Sequence, residues 1–262
     1  MLLYPIAKIN LGLNIVGKRA DGYHDLETVF YPQETVTDIL DINIVPGNNN
    51  TATLTVDGNP VDCDAEKNLV IKAYRLLAQD YELPSVSIKL TKRIPMQAGM
   101  GGGSSDAAYT LKAMNELASL KLTDNDLERY ALKLGADAPF FIRRKPCFAT
   151  GVGEVMTPID IDLSGYDIKH IKPEGISVST AEAFRNIPVG KPECSCKEIV
   201  QNTPINQWKD VLKNDFETTV FAKHPELAEL KQRFYDQGAV YATMTGSGSA
   251  VIGIFAKLTK TP

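Results

Sequence analysis

Histidine is scarce in this chain: His24, His170 and His224 are the only three among 262 residues, and no pair has the spacing of a metal site. The four cysteines, Cys63, Cys147, Cys194 and Cys196, are equally scattered. Cys194-Ser195-Cys196 lacks a second pair at zinc spacing, and a chain of this length folds without disulfide staples. A structural metal is therefore not expected, and the thiols are expected to be reduced. Positive charge is not in excess either, since 28 Lys and Arg against 32 Asp and Glu leave a net charge of −4. That balance offers no field to hold a nucleic-acid backbone or an anionic membrane, so neither is an expected partner. No apolar run approaches the roughly 18 residues of a membrane helix, and the first residues lack a basic-then-apolar leader, so a cytoplasmic location is expected.

Several catalytic signatures are missing too. There is no G-x-x-x-x-G-K-[ST] loop, no G-x-G-x-x-G fingerprint, no protein-kinase set and no G-x-S-x-G nucleophile elbow. What is present is an ordinary globular composition, 44% apolar, enough to bury a full core in one large domain or two modest ones.

Residues 6–16 alternate, with Ile9, Leu11, Leu13 and Ile15 on one face and Lys8, Asn10, Gly12 and Asn14 on the other. Asp21-Gly22 marks a tight turn, after which Leu26, Thr28 and Phe30 resume the alternation, as in a hairpin. Two further strands are expected at 39–45 and 51–57, a helix at 68–79 and a strand at 86–91. A helix over 126–134 is expected to stop at Gly135, where glycine suits a left-handed C-terminal position. Beyond Gly153-Glu154 come strands at 166–172, 239–243 and 250–256, helices near 207–221 and 225–236, and polar, proline-rich connections from 186 to 204. This reads as an α+β chain with two lobes, divided as residues 1–154 and 155–262.

The most informative stretch runs from Pro95 to Asp106: Pro95, Met96, Gln97, Ala98, Gly99, Met100, Gly101, Gly102, Gly103, Ser104, Ser105, Asp106. It joins a strand to a helix expected to begin near Ser105. Four of its five residues from 99 to 103 are glycine, more than a turn requires. Bare backbone amides at a helix N-terminus can approach an oxyanion closely, which is the construction of a phosphate cradle. The hydroxyls of Ser104 and Ser105 can cap the helix, touch phosphate or reach a magnesium ion. Asp137 lies on a connection between Gly135 and Pro139, where its carboxylate suits either an N-cap or an exposed chemical role. Lys8 is either a solvated strand lysine or a fixed point charge.

Pro95–Ser105 followed by Asp106-Ala107-Ala108 resembles the ATP-binding motif of the GHMP kinases, the superfamily of galactokinase and of homoserine, mevalonate and phosphomevalonate kinases. Ala7-Lys8-Ile9-Asn10-Leu11 is similar to the first motif of that family, and Met244-Thr245-Gly246-Ser247-Gly248-Ser249 to its third. Arg19-Ala20-Asp21-Gly22-Tyr23-His24-Asp25-Leu26 and Leu134–Phe141 resemble one branch of it. Members of that branch phosphorylate a cytidine-diphosphate-linked methylerythritol in the non-mevalonate route to isoprenoid precursors. Phe148–Glu154 and Asn214-Asp215-Phe216-Glu217 extend the similarity. Gln97-Ala98 departs from it, standing where the family's loop often has two glycines.

The resemblance implies an N-terminal lobe like ribosomal protein S5, a ferredoxin-like C-terminal lobe, and an active site in the cleft between them. It implies ATP and Mg2+ as cofactors, with Pro95–Ser105, Asn68 and Lys92 at the nucleotide and Ser105 as a metal ligand. Asp137 is implied as the base and Lys8 as its catalytic partner. Asn10, Tyr23, His24, Thr180 and Phe184 are implied at the substrate, with the aromatic rings stacking on cytosine. The competing expectations are a small-alcohol kinase of the homoserine or mevalonate type, and a kinase-like protein that holds ATP without catalysis.

Overall fold

A computed structural model of the chain describes residues 1–60, 64–185 and 187–257; Cys63 lies outside the described residues. In chain order the first elements are β1 (Leu2–Leu3), β2 (Ile6–Lys18), β3 (His24–Thr37), β4 (Ile39–Ile44), β5 (Ala52–Gly58), α1 (Leu69–Ala78) and β6 (Val86–Lys92). Then come α2 (Gly102–Leu117), α3 (Asp124–Leu132), α4 (Phe140–Arg143), β7 (Cys147–Thr150), β8 (Val155–Pro158) and β9 (Tyr166–Ile171). The last are α5 (Thr180–Ala183), α6 (Cys196–Asn202), α7 (Trp208–Val211), α8 (Phe216–Lys223), α9 (Pro225–Asp236), β10 (Tyr241–Met244) and β11 (Val251–Ala256). The α+β class is as expected.

The chain divides into two compact units. The first comprises residues 1–8, 32–96 and 101–145, the second residues 9–31, 97–100 and 146–262. These units group residues by contact and so interleave along the chain, which the expected domains, 1–154 and 155–262, do not.

In the first unit a four-stranded sheet has the order β1-β4-β6-β5. β4 and β5, consecutive in the chain, are separated in the sheet by β6, which pairs antiparallel with β4 and parallel with β5. Val86, Ile88 and Leu90 of β6 are buried and alternate with Ser87 and Lys89, so the sheet has one core face. Helix α1 packs on α2, contributing Val70, Ala73, Tyr74 and Leu77, while α2 contributes Ala107, Ala108, Leu111 and Met114, all buried. Fully burying a leucine-sized side chain stabilises by about 1.5–3 kcal/mol, and this face fixes the end of α2 that carries the glycines.

Two further sheets, β2-β3-β7-β8 and β10-β11-β9, have most of their residues in the second unit. The alternation expected through β2 is interrupted at Gly12, whose φ is +68°. A Cβ there would stand 2.5 Å from Leu212 Cδ1 and 2.7 Å from Cys196 Sγ, so the position needs glycine for both space and conformation. Ile9 and Leu11 enter one buried cluster with Trp208, Leu212 and Tyr241. Leu13 and Ile15 enter another, with Phe216, Leu230 and Phe234. Both faces of β2 are buried as far as Ile15, so Lys8 and Asn10 are not surface residues. The proline-rich connection contains α6, which begins with a Ser195/Glu198 capping box. The single helix expected over 207–221 is divided into α7 and α8, with Asn214 bridged to Leu13 between them.

Candidate functional site

Helix α2 begins at Gly102, three residues earlier than expected, with Gly101 as its N-cap in the left-handed region at φ +70°. Ser104 and Ser105 therefore lie inside the first turn and cap nothing. The Ser105 amide makes the first helical bond, to Gly101 O at 2.9 Å. The amides of Gly102, Gly103 and Ser104 precede it and have no carbonyl one turn back, so they point out of the helix end as anion donors. The glycines also have steric reasons. A Cβ on Gly101 would meet Phe141 Cζ at 2.7 Å and Lys8 Cγ at 3.1 Å, and one on Gly102 would meet Ile94 Cγ2 at 3.0 Å.

Lys8 and Asp137 come together with this helix end in the first unit. Lys8 is 5% exposed, and burial lowers its ammonium to about 8, against the opposing charge of Asp137. Asp137 occupies the turn before α4 and is half-buried. Its carboxylate does not cap that helix, whose N-cap residue is Pro139 with no side-chain bond. Instead Asp137 Oδ1 accepts from Ser104 Oγ at 2.7 Å. A carboxylate, an ammonium and free helix amides thus share one neighbourhood, the set that phosphoryl transfer to a hydroxyl requires.

Lys92, expected at the adenine and ribose, is 2% exposed. Its ammonium donates to Asp38 Oδ2 and, at 2.7 Å, to Asp106 Oδ2. Asp38 also accepts from the Ile94 amide at 2.8 Å. This buried triad links the end of β6 to the first turns of α2. Burial lifts the Asp106 carboxyl to about 8, with Lys92 opposing and Asp38 reinforcing. Asp38 and Asp106 were missed in the sequence because nothing in their spacing pairs them with Lys92. Asn68, expected beside Lys92, caps α1, its Oδ1 accepting from the Val70 amide at 2.9 Å. Ser105 Oγ and Asp106 Oδ1 are buried with no hydrogen-bond partner. A lone buried oxygen at this helix end is the type of ligand a hard cation takes, so Ser105 fits a magnesium ion.

The front half of the glycine stretch belongs to the second unit. The Ser249 amide donates to Gln97 O at 3.2 Å, and Thr245 Oγ1 donates to Gly99 O at 3.3 Å. A Cβ on Gly99 would stand 1.9 Å from Thr245 O. Gln97 itself has φ +50°, so the departure from the family's glycine falls where glycine's freedom matters. Asn214, quoted only as part of a similar string, holds the same turn by donating to Met244 O at 2.7 Å and Gly246 O at 2.9 Å. Asn10 is 2% exposed, its side chain donating to Thr28 Oγ1 at 2.9 Å and its amide to Thr245 Oγ1 at 3.0 Å.

Thr180 Oγ1 lies 3.3 Å from Ser247 Oγ, which joins the start of α5 to that turn. Phe184, just beyond α5, stacks on His24 with ring centroids 4.9 Å apart and an interplanar angle of 17°. It also meets Phe216 in a T-shaped contact with ring centroids 4.8 Å apart. The ring facing Phe184 is therefore His24, and Tyr23 is 64% exposed beside it. Rings in direct stacking contact leave no gap for a base between them. Asn10, Tyr23, His24, Thr180 and Phe184 all lie in the second unit, and Lys8, Asp137, Asn68, Lys92, Pro95, Met96 and Gly101–Ser105 in the first.

Residues 68–145 match the model of the GHMP kinases N terminal domain, and residues 198–260 that of the GHMP kinases C terminal domain. The chain is 48% identical to a 4-diphosphocytidyl-2-C-methyl-D-erythritol kinase of Bacteroides fragilis, over 99% of this chain and 95% of that protein. It is 51% identical to one of Bacteroides thetaiotaomicron, over 97% and 92%. Among solved structures, a 4-(cytidine 5'-diphospho)-2C-methyl-D-erythritol kinase aligns with a TM-score of 0.80 at 32% identity, covering 97% of this chain and 90% of that one. Mevalonate kinase of Methanococcus jannaschii, at 15% identity and a TM-score of 0.69 over 97% and 90%, shares the fold alone. With its glycine helix end, its turn at Thr245–Ser249 and near half of its residues matching over almost the full length, the chain belongs to the 4-diphosphocytidyl-2-C-methyl-D-erythritol kinase family of the GHMP kinases.

Proposed function

We propose that this protein transfers the γ-phosphoryl group of ATP to the 2-hydroxyl of 4-diphosphocytidyl-2-C-methyl-D-erythritol. The observation that carries the chemistry is the grouping of Lys8, Asp137 and the unpaired amides of Gly102–Ser104 within one compact unit. The relatives' names carry the substrate. The amides and the positive end of α2 hold phosphate oxygens as donors that need no reorganisation during the reaction. Asp137 accepts the proton of the 2-hydroxyl as its oxygen bonds to the γ-phosphorus, and ADP departs with the electron pair of the broken P–O bond. The Lys8 ammonium holds the carboxylate in place and stabilises charge developing on the attacking oxygen. Bound magnesium, with Ser105 as its protein ligand, would neutralise charge on the phosphate oxygens. In the second unit, the exposed Tyr23 ring beside the closed His24–Phe184 stack offers a surface for cytosine, where stacking contributes about 1–3 kcal/mol per base.

The test is a coupled assay of ADP release with ATP and magnesium. The expected result is turnover with the cytidine-linked alcohol and none with homoserine or mevalonate. Turnover with either of those alone would reject the substrate, and ATP binding without any turnover would reject catalysis.

A further inference from the structure

We infer that Ser104 is a positioning residue for Asp137 and that its hydroxyl is not a phosphate ligand; this rests on the reading of Asp137 as the base. A serine hydroxyl has one proton. Ser104 Oγ gives it to Asp137 Oδ1 at 2.7 Å, a charge-assisted bond of ordinary strength for a carboxylate acceptor. What remains on Ser104 Oγ is lone-pair density, which repels a phosphate oxygen. The two uses of the hydroxyl exclude each other, whereas the Ser104 amide, in the first turn of α2, stays free for the nucleotide. One residue therefore serves both sides of the reaction, the main chain towards phosphate and the side chain towards the base.

Gly135 supplies an independent observation. Read from sequence, it is a left-handed helix stop. In the structure α3 ends with Lys133 in the right-handed region, and Gly135 is not among the glycines with positive φ, so conformation does not demand glycine there. A Cβ on Gly135 would stand 3.3 Å from Ser104 Oγ, a tight contact, and 3.6 Å from Asp137 Oδ1, an ordinary one, so the residue lies directly against the hydrogen-bonded pair. The turn that carries Asp137 is fixed as well, the Ala138 amide donating to Gly135 O at 3.1 Å and the Phe140 amide to Asp137 O at 3.2 Å. With the backbone held by the turn and Oδ1 held by Ser104, the second carboxylate oxygen is directed to accept the substrate proton. A group misplaced by about 1 Å can lose on the order of 10²-fold in rate, which is the scale at which one such bond matters.

The experiment is a double-variant cycle on the full chain with ATP, magnesium and the cytidine-linked alcohol. Ser104→Ala should lower kcat by about 10–100-fold and leave the KM for ATP within about twofold. Ser104→Thr, which keeps the hydroxyl, should recover most of the rate. In an Asp137→Asn background Ser104→Ala should cost nothing further, because the group it positions is gone. Two results would overturn the inference: a raised KM for ATP at unchanged kcat, as a phosphate ligand would give, or losses that multiply in the double variant. Full activity in Asp137→Asn alone would bring down the reading of the base with it, whereas an inactive Asp137→Asn with multiplying losses would bring down only the role of Ser104. Melting temperatures of all the variants separate these effects from unfolding.

Discussion

Lys8 shows how much a single side chain owes to its setting. Its sequence position, on the polar side of an alternating strand, leaves open both a solvated lysine, the commoner fate in a strand, and a fixed charge. Both faces of β2 being buried decides between them, and burial also brings the ammonium to about 8. The sign follows directly: below that value Lys8 is charged, and as the pH rises through it the charge is lost. If the ammonium acts in the reaction, kcat/KM should be level near neutrality and fall about tenfold per pH unit above roughly pH 8, since this ratio reports the free enzyme. Lys8→Met should give a low, level profile over the same range. A wild-type profile flat to pH 10 would show that the charge on Lys8 is not used. Asp137 was legible as a candidate from its place between Gly135 and Pro139, but its partner was not, because Ser104 and Asp137 are 33 positions apart in the chain.

At the scale of elements, the helix behind the glycines was readable and its anchorage was not. The run from Ala107 to Met114 fixes α2 by periodicity, yet its start was placed at Ser105 because serine is a common cap. The structure begins the helix at Gly102 because Gly101 takes the left-handed cap position itself. Beneath that first turn, Lys92 is held between Asp38 and Asp106, with side-chain exposures of 1%, 0% and 3%. Removing the cation would leave the buried oxygens of Asp38 and Asp106 without their charged donor. Lys92→Met should therefore lose about 3–5 kcal/mol of stability at neutral pH, measured by urea unfolding. A loss under about 1 kcal/mol would mean that the triad is solvated in solution. The order of β4, β6 and β5 escaped the sequence because pairing between strands leaves no local trace, and α6 was hidden by the prolines around it.

Across the whole molecule, composition sets expectations and identifies little. The net charge is −4, and no helix among the described residues is long and apolar enough to cross a membrane. The motifs carried the family, and relatives at 48% and 51% identity bear it out. They could not show that the glycine stretch is shared, Gln97–Met100 belonging to one compact unit and Gly101–Ser105 to the other. Nor could they show that His24 is the ring on Phe184. The measurement closest to the centre of the account is the steady-state rate of Asp137→Asn with the cytidine-linked alcohol, paired with calorimetric ATP binding. A kcat reduced by about 10²–10⁴-fold with ATP affinity kept within about twofold is the predicted result. A kcat equal to that of the wild type would contradict it.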